Sequence, residues 1–201
     1  VYLAVAGIGR LRICDNGSVE LSNLNRQILY GDHDIDRLKV SAAKNQVNRL
    51  NPQVTVDCFS ETMVRENVGD LIGDADIIVD CLDNFETRLI LNEYAVAHGL
   101  PFVHAGIEGF AGQLTFIHSP ATPCLRCITP EVPAKKLFSV VGTTPGVVGC
   151  LEANEVIKYL TGIGSNSRNT LLIWDGLKNE LHRVEIAKDP ECPVCGKKTD
   201  K

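Results

Sequence analysis

Two Cys-x-x-Cys pairs, Cys124/Cys127 and Cys192/Cys195, carry the most specific chemical spacing in this sequence. A two-residue spacer lets both sulfurs of a pair reach one ion, and four thiolates close a tetrahedral zinc (Zn2+) site at roughly 2.3 Å per bond. Such a site has no open position, so its expected role is structural: it would pin the C-terminal tail to the segment after Pro120. Two disulfides or two coincidental pairs would show the same spacing. Disulfide frameworks, however, serve small secreted domains with poor cores, whereas this chain has 201 residues, 44% of them hydrophobic. Reduced thiols and a cytoplasmic setting follow. The other cysteines, Cys14, Cys58, Cys81 and Cys150, stand alone in apolar stretches, and Cys150 is expected to pack in a buried helix rather than react.

Two further groupings are polar. The first is Asp15, then Ser22-Asn23-Leu24-Asn25-Arg26-Gln27, then Lys39. A carboxylate at the end of the second strand of a nucleotide-binding half commonly accepts ribose hydroxyls. Arg26 offers a fork and Lys39 a point charge to a polyphosphate, with Asn23 as a neutral donor; the same cations near helix starts are also commonly just solvated. The second grouping is Asp80-Cys81-Leu82-Asp83-Asn84, with Arg88 beyond it. Asp83 is suited to hold Mg2+ on a nucleotide, since that ion uses one or two carboxylates plus phosphate oxygens. A helix cap is the alternative role. Arg88 falls where its charge opposes a helix dipole, so it calls for a carboxylate or phosphate partner. His33, His98, His104, His118 and His182 have no spacing that makes a ligand set, and Glu61, Glu66, Asp70 and Asp74 read as a solvated helix face.

The elements that position these groups follow from pattern. Strands are expected at 11–14, 53–59, 75–79, 102–105, 113–118, 170–174 and 182–186. Helices are expected from Asp36 as cap to residue 50, with Leu38, Ala42, Val47 and Leu50 in the core, and at 62–72 and 146–160. Another runs from the cap Asn84 to His98, closed by Gly99 and Pro101. The alternation indicates an α/β fold: a Rossmann-like, mainly parallel sheet with right-handed crossovers. The later strands lack intervening helices and predict an antiparallel C-terminal extension beside the four-cysteine zinc knuckle pair. Ligands in such sheets bind beyond the carboxyl ends of the strands, where Asp15, Asp80 and Asp83 fall. Residues 1–6 read as the tail of a helix. Gly7-Ile8-Gly9 reads as a helix-to-strand turn, since a phosphate loop would have a third glycine and a preceding strand.

The charge balance is 20 basic against 25 acidic residues, net −5. With no basic excess to release phosphate counterions, nucleic acid is disfavoured as a partner. No apolar run approaches the roughly 18 residues of a membrane helix, and no cationic segment leads into an apolar stretch as in a signal peptide.

The string from Asp15 through Ser22-Asn23-Leu24-Asn25-Arg26-Gln27 to Tyr30 resembles the D-x-D-x-V-x-x-S-N-L-x-R-Q segment of the ThiF/MoeB/HesA family, relatives of the ubiquitin-activating enzymes. Asp80-Cys-Leu-Asp-Asn-Phe-Glu-Thr-Arg88 resembles its D-C-x-D-N-x-x-x-R, and both knuckles, the Gly109–Gln113 segment and the helix over 149–162 fit as well. The resemblance implies ATP- and Mg2+-dependent adenylation of the C-terminal glycine of a ubiquitin-like sulfur-carrier protein (ThiS/MoaD type) by a homodimer, in thiamine or molybdopterin biosynthesis. By position it implies Asp15 as ribose ligand and Asn23, Arg26 and Lys39 as phosphate contacts. Gln27 and Asn84 fall in the same nucleotide site, and Asp83 is the Mg2+ ligand; Arg26, Lys39 and Asp83 form the catalytic set. It further implies that residues 1–201 are a single adenylation domain lacking the family's N-terminal strand and glycine-rich G-x-G-G-x-G loop, a segment that also supplies an Arg to the partner subunit. Some members carry a nucleophilic cysteine after the first knuckle. Residues 130–144, including the comparable stretch 134–139, contain none, so the chemistry should end at the acyl adenylate. The competing readings are an adenylating relative acting on tRNA or a peptide, a nicotinamide-dependent Rossmann oxidoreductase with Asp15 on the ribose, and a non-catalytic partner-binding subunit.

Overall fold

The computed structural model describes residues 1–131 and 139–196. It opens with a short helix α1 (Tyr2–Val5), a turn, and strand β1 (Arg10–Cys14). Helix α2 (Lys39–Leu50) crosses to β2 (Thr55–Phe59), which lies parallel to β1 with Leu11 opposite Val56 and Ile13 opposite Cys58. A second α/β passage runs through α3 (Val68–Ile72), β3 (Ile78–Val79), α4 (Phe85–His98) and β4 (Phe102–Glu108), with β3 and β4 parallel. From there the sheet turns antiparallel through β5 (Ala111–Ile117), β6 (Thr170–Asp175) and β7 (Glu180–Glu185). Between β5 and β6 the chain forms α5 (Leu125–Ile128) and the long α6 (Thr143–Thr161). The result is a mixed α/β architecture, parallel first and antiparallel after β4. It is built as a two-stranded ladder β1-β2 and a five-stranded ladder in the order β3-β4-β5-β6-β7.

Packing follows the apolar faces. The buried side of α2 presents Val40, Ala43 and Val47, and Val47 joins Ala4, Val54 and Val56 in one cluster. Helix α6 lays Val148 and Val156 against Val103, Ala105, Leu114, Phe116 and Leu172 on one face of the larger ladder. Helix α4 covers the opposite face with Leu91 and Ala95 against Phe102 and Ile117, and this cluster extends to Leu125 and the knuckle cysteines. Three layers, helix, sheet and helix, therefore enclose the strands that read in sequence as compact apolar runs.

Several boundaries differ from the sequence expectation. Asp36 does not cap α2: it adopts a left-handed backbone at φ 67, and Leu38 takes the cap position without a side-chain bond. Leu38 and Leu50 are 44% and 38% exposed rather than core, since they fall at the two ends of α2 where its buried face runs out. Of the expected helix over 62–72 only Val68–Ile72 forms; the preceding residues are held instead by Asn67, whose side chain accepts from the Val64 amide and donates to the Thr62 carbonyl. Glu61, Glu66 and Asp74 therefore lie off any helix, and Asp74 pairs with Arg10. The strand expected over 75–79 shortens to Ile78–Val79. Cys150 is exposed, because α6 turns Val148, Glu152, Ala153, Glu155 and Val156 inward and leaves Cys150 on the other side. The predicted α4 boundaries hold. Asn84 accepts from the Thr87 amide at 2.9 Å, and Gly99 closes the helix at φ 64, a left-handed conformation that suits glycine.

Candidate active site and metal centre

Asp15 is the first residue past the carboxyl end of β1. Its Oδ1 accepts from the Gly17 amide at 2.8 Å, and its Oδ2 lies 3.8 Å from Lys39 Nζ. The Lys39 amide in turn donates to the Gly17 carbonyl at 3.0 Å, so the turn after β1 is strapped to the first residue of α2. That strap brings a carboxylate and an ammonium group, distant in sequence, to one strand end. Tyr30 belongs to the same neighbourhood. Burial, followed by the negative fields of Asp15 and Asp34, pushes its phenol up to about 12. Sequence reading gave Tyr30 no role, because a lone tyrosine carries no spacing signal.

The segment Asn23–Gln27 forms a tight turn opened by a 3-10 helix over Leu21–Asn23. Asn23 is buried and its Oδ1 accepts from the Glu20 amide, so it builds the turn. Arg26 is half-buried and its Nη1 folds onto the Ser22 carbonyl at 2.9 Å and Asn25 Oδ1 at 2.8 Å. Among the described residues the buried Gln27 Oε1 has no hydrogen-bond partner, an acceptor that only a hydroxyl or N–H donor could satisfy. The start of α6 rests on this turn: a methyl group added at Gly142 would meet the Asn25 carbonyl oxygen at 2.2 Å. Only glycine allows that approach.

Asp83 and Asn84 follow β3 on the larger ladder. Asp83 is exposed and takes no part in the hydrogen bonds that fix its own turn, which leaves its carboxylate available to a cation. Asn84 spends its oxygen on the α4 cap. Beneath them lies a buried polar network. Asp80 accepts from the Leu82 amide at 3.0 Å and from His104 Nδ1 at 2.6 Å, and Arg88 Nε lies 3.1 Å from Asp80 Oδ2. Arg88, 8% exposed, also donates from Nη2 to the Leu82 carbonyl. Glu152 of α6, 7% exposed, stands near this network, and its Oε1 has no hydrogen-bond partner among the described residues. Burial, then the Asp80 charge, holds its carboxyl well above the usual range, and Arg88 offsets this only in part. Sequence reading found Asp80 and Arg88 but missed His104 and Glu152. Their distance along the chain gave no signal.

The four knuckle cysteines converge. Their sulfurs all lie within 4.8 Å of one another, with Cys124 and Cys192 Sγ at 3.7 Å and Cys127 and Cys195 Sγ at 3.4 Å. A tetrahedral tetrathiolate with bonds of roughly 2.3 Å needs sulfurs roughly 3.8 Å apart, so this donor set fits a metal ion and not a pair of disulfides. The thiols do not ionise alike without a cation: burial pushes Cys124 and Cys195 up, whereas at Cys192 burial is outweighed by the Cys195 and Val194 amides and the neighbouring thiols, which bring it to about 7. Metal ligation requires the thiolate. The stretch 134–139, compared above with the family's nucleophilic-cysteine segment, falls outside the described residues except for Ser139.

The profile of the ThiF family matches residues 1–194. The sulfur carrier protein adenylyltransferase of Thermus thermophilus is 37% identical over 206 residues, covering 97% of this chain and 76% of that protein. The adenylyltransferase and sulfurtransferase MOCS3 of Mus musculus is 37% identical over 202 residues, and this chain spans only 44% of its length. Among solved structures, E. coli MccB with ATP superposes with a TM-score of 0.86 at 21% identity, covering 98% of this chain and 63% of that one, a likeness of fold.

Proposed function

This chain belongs to the ThiF family, and from that premise we propose that it transfers AMP from ATP to the C-terminal glycine carboxylate of a ubiquitin-like sulfur-carrier protein. The observation that carries this reading is Asp15 at the end of β1, oriented by the Gly17 amide and set 3.8 Å from Lys39. It is the arrangement expected for a ribose ligand beside a phosphate cation.

A carboxylate is already ionised at neutral pH, so the step needs no general base. One carrier oxygen attacks the α-phosphorus, the bond to the bridging oxygen breaks, and pyrophosphate leaves with that electron pair. The residues act by placement and charge. Asp15 orients the ribose, and Lys39 and Arg26 face the phosphates. Gln27 offers its Oε1 to a hydroxyl or amino donor of the nucleotide, Asn23 holds the turn in shape, and Asn84 anchors the turn that presents Asp83. Mg2+ on Asp83 would neutralise charge on the phosphates and the leaving pyrophosphate. Cys124, Cys127, Cys192 and Cys195 would hold zinc, which would act there as a structural clamp. The protein is read as a cytoplasmic homodimer serving thiamine or molybdopterin biosynthesis, with residues 1–201 as one domain. Among the described residues no helix is long and apolar enough to cross a membrane.

The test is ATP–pyrophosphate exchange with the protein at its natural length, with and without a sulfur-carrier protein. Exchange that requires the carrier and vanishes when its terminal glycine is removed supports the proposal. Binding of NAD(H) without exchange would replace it with the oxidoreductase reading.

A further inference from the structure

Asp83 is exposed and, among the described residues, its side chain makes no hydrogen bond or ion pair of its own, yet a metal ligand has to be held still. The bonds around it show where its support comes from. The turn over residues 80–84 is closed on one side by the Leu82 amide on Asp80 and on the other by the Asn84 cap. Arg88 crosses this turn from inside α4. Its Nη2 grips the Leu82 carbonyl, the residue directly before Asp83, while its Nε engages Asp80. His104 Nδ1 from β4 holds Asp80 Oδ2, the same oxygen that Arg88 Nε approaches. The guanidinium also lies 5.2 Å from the centre of the Phe85 ring, which further restricts it. Arg88, Asp80 and His104 are 8%, 1% and 0% exposed, so this bracket is dry and its hydrogen bonds are costly to break.

We propose that Arg88 is a positioning residue: through the Leu82 carbonyl and Asp80 it fixes the turn that presents Asp83 to the nucleotide-bound cation, and it does not itself touch the nucleotide. This rests on the reading of Asp83 as the Mg2+ ligand given above. The chemistry of the side chain explains its type. A guanidinium can donate to a carboxylate and a carbonyl at once in a fixed plane, whereas a lysine ammonium at the same depth meets one and leaves the other. Groups that orient a metal ligand typically change metal affinity about 10- to 100-fold when altered.

The test measures Mn2+ binding by electron paramagnetic resonance in the presence of a non-hydrolysable ATP analogue. Binding of the same analogue without metal is measured alongside. Arg88→Lys keeps the charge beside Asp80 and loses the fork. It should weaken Mn2+ about 10-fold or more and leave metal-free analogue binding unchanged. Combined with Asp83→Asn it should add almost nothing, because both act on one ligand. If Arg88 contacts phosphate, the lysine variant weakens metal-free binding and its effect adds to that of Asp83→Asn; either result overturns the proposal. If Asp83→Asn alone leaves Mn2+ affinity intact, the metal assignment beneath it has failed instead. Should Arg88→Lys not fold, Arg88→Gln with Asp80→Asn removes both buried charges together. The same 10-fold loss of Mn2+ is then expected, and wild-type affinity in that variant would refute the positioning role.

Discussion

Asp83 and Asn84 stand side by side at the start of α4, one with a free carboxylate and the other with its oxygen spent on a backbone amide. Their variants should therefore fail differently. Asp83→Ala is expected to lower carrier-dependent pyrophosphate exchange on the order of 10²-fold, by loss of a preorganised electrostatic contact, with little change in melting. Asn84→Ala should cost about 1 kcal/mol of stability, roughly 2–4 °C in a chain of this size. Measuring exchange and melting for both separates ligand from cap. Glu152 makes a prediction of opposite sign. Its folded carboxyl titrates well above the ordinary value of 4.5 because it is buried beside Asp80. The folded state then holds a proton that the unfolded state has lost. Stability is therefore fullest below the unfolded value and falls as pH rises through the window from about 4.5 upward. Glu152→Gln should flatten that slope and raise the melting temperature at pH 7–8. A wild-type slope in the glutamine variant would show that another group is responsible.

At the scale of elements, the contact between the start of α6 and the Asn23–Gln27 turn couples a helix to the loop proposed to hold the nucleotide. Gly142→Ala drives a methyl group into the Asn25 carbonyl oxygen at 2.2 Å. The two segments must separate, at a cost of about 1–3 kcal/mol, and the KM for ATP should rise along with the fall in melting temperature. Retained ATP affinity would mean that the turn does not carry the phosphate contacts. Elements with strong local punctuation were legible in sequence: α4 has both its caps, and β4 to β7 read as compact apolar or alternating runs. The α2 start was misplaced because Asp36, a good cap by type, adopts a left-handed backbone there. The helix expected over 62–72 shrank because Asn67 bonds the Thr62–Val64 backbone in a competing loop. In both cases a local hydrogen bond or turn overrode propensity.

Across the whole molecule, the knuckles tie α5, next to α4, to the tail after β7. Metal analysis should find one zinc per chain, lost in Cys192→Ser. A chelator should lower the melting temperature, since a ligand present at 1,000 times its Kd adds about 4 kcal/mol, on the order of 10 °C for this size. No bound metal under reducing conditions would remove the clamp.

The sequence by itself determined the residue types and the short-range order: four cysteines in paired spacing, Asp15 and Asp83 at strand ends, and Asn84 as a cap. These are local properties, set by spacing along a strand or helix turn and by the chemistry of each side chain. Only the tertiary structure decided that Lys39 meets Asp15, that α6 rests on Asn25, and that Cys150 faces outward. Only it placed His104, Arg88 and Asp80 in one dry bracket beneath Asp83 with Glu152 beside them. Those relations depend on which faces the sheet and helices bury against one another, and residues far apart in the chain leave no periodic trace of meeting.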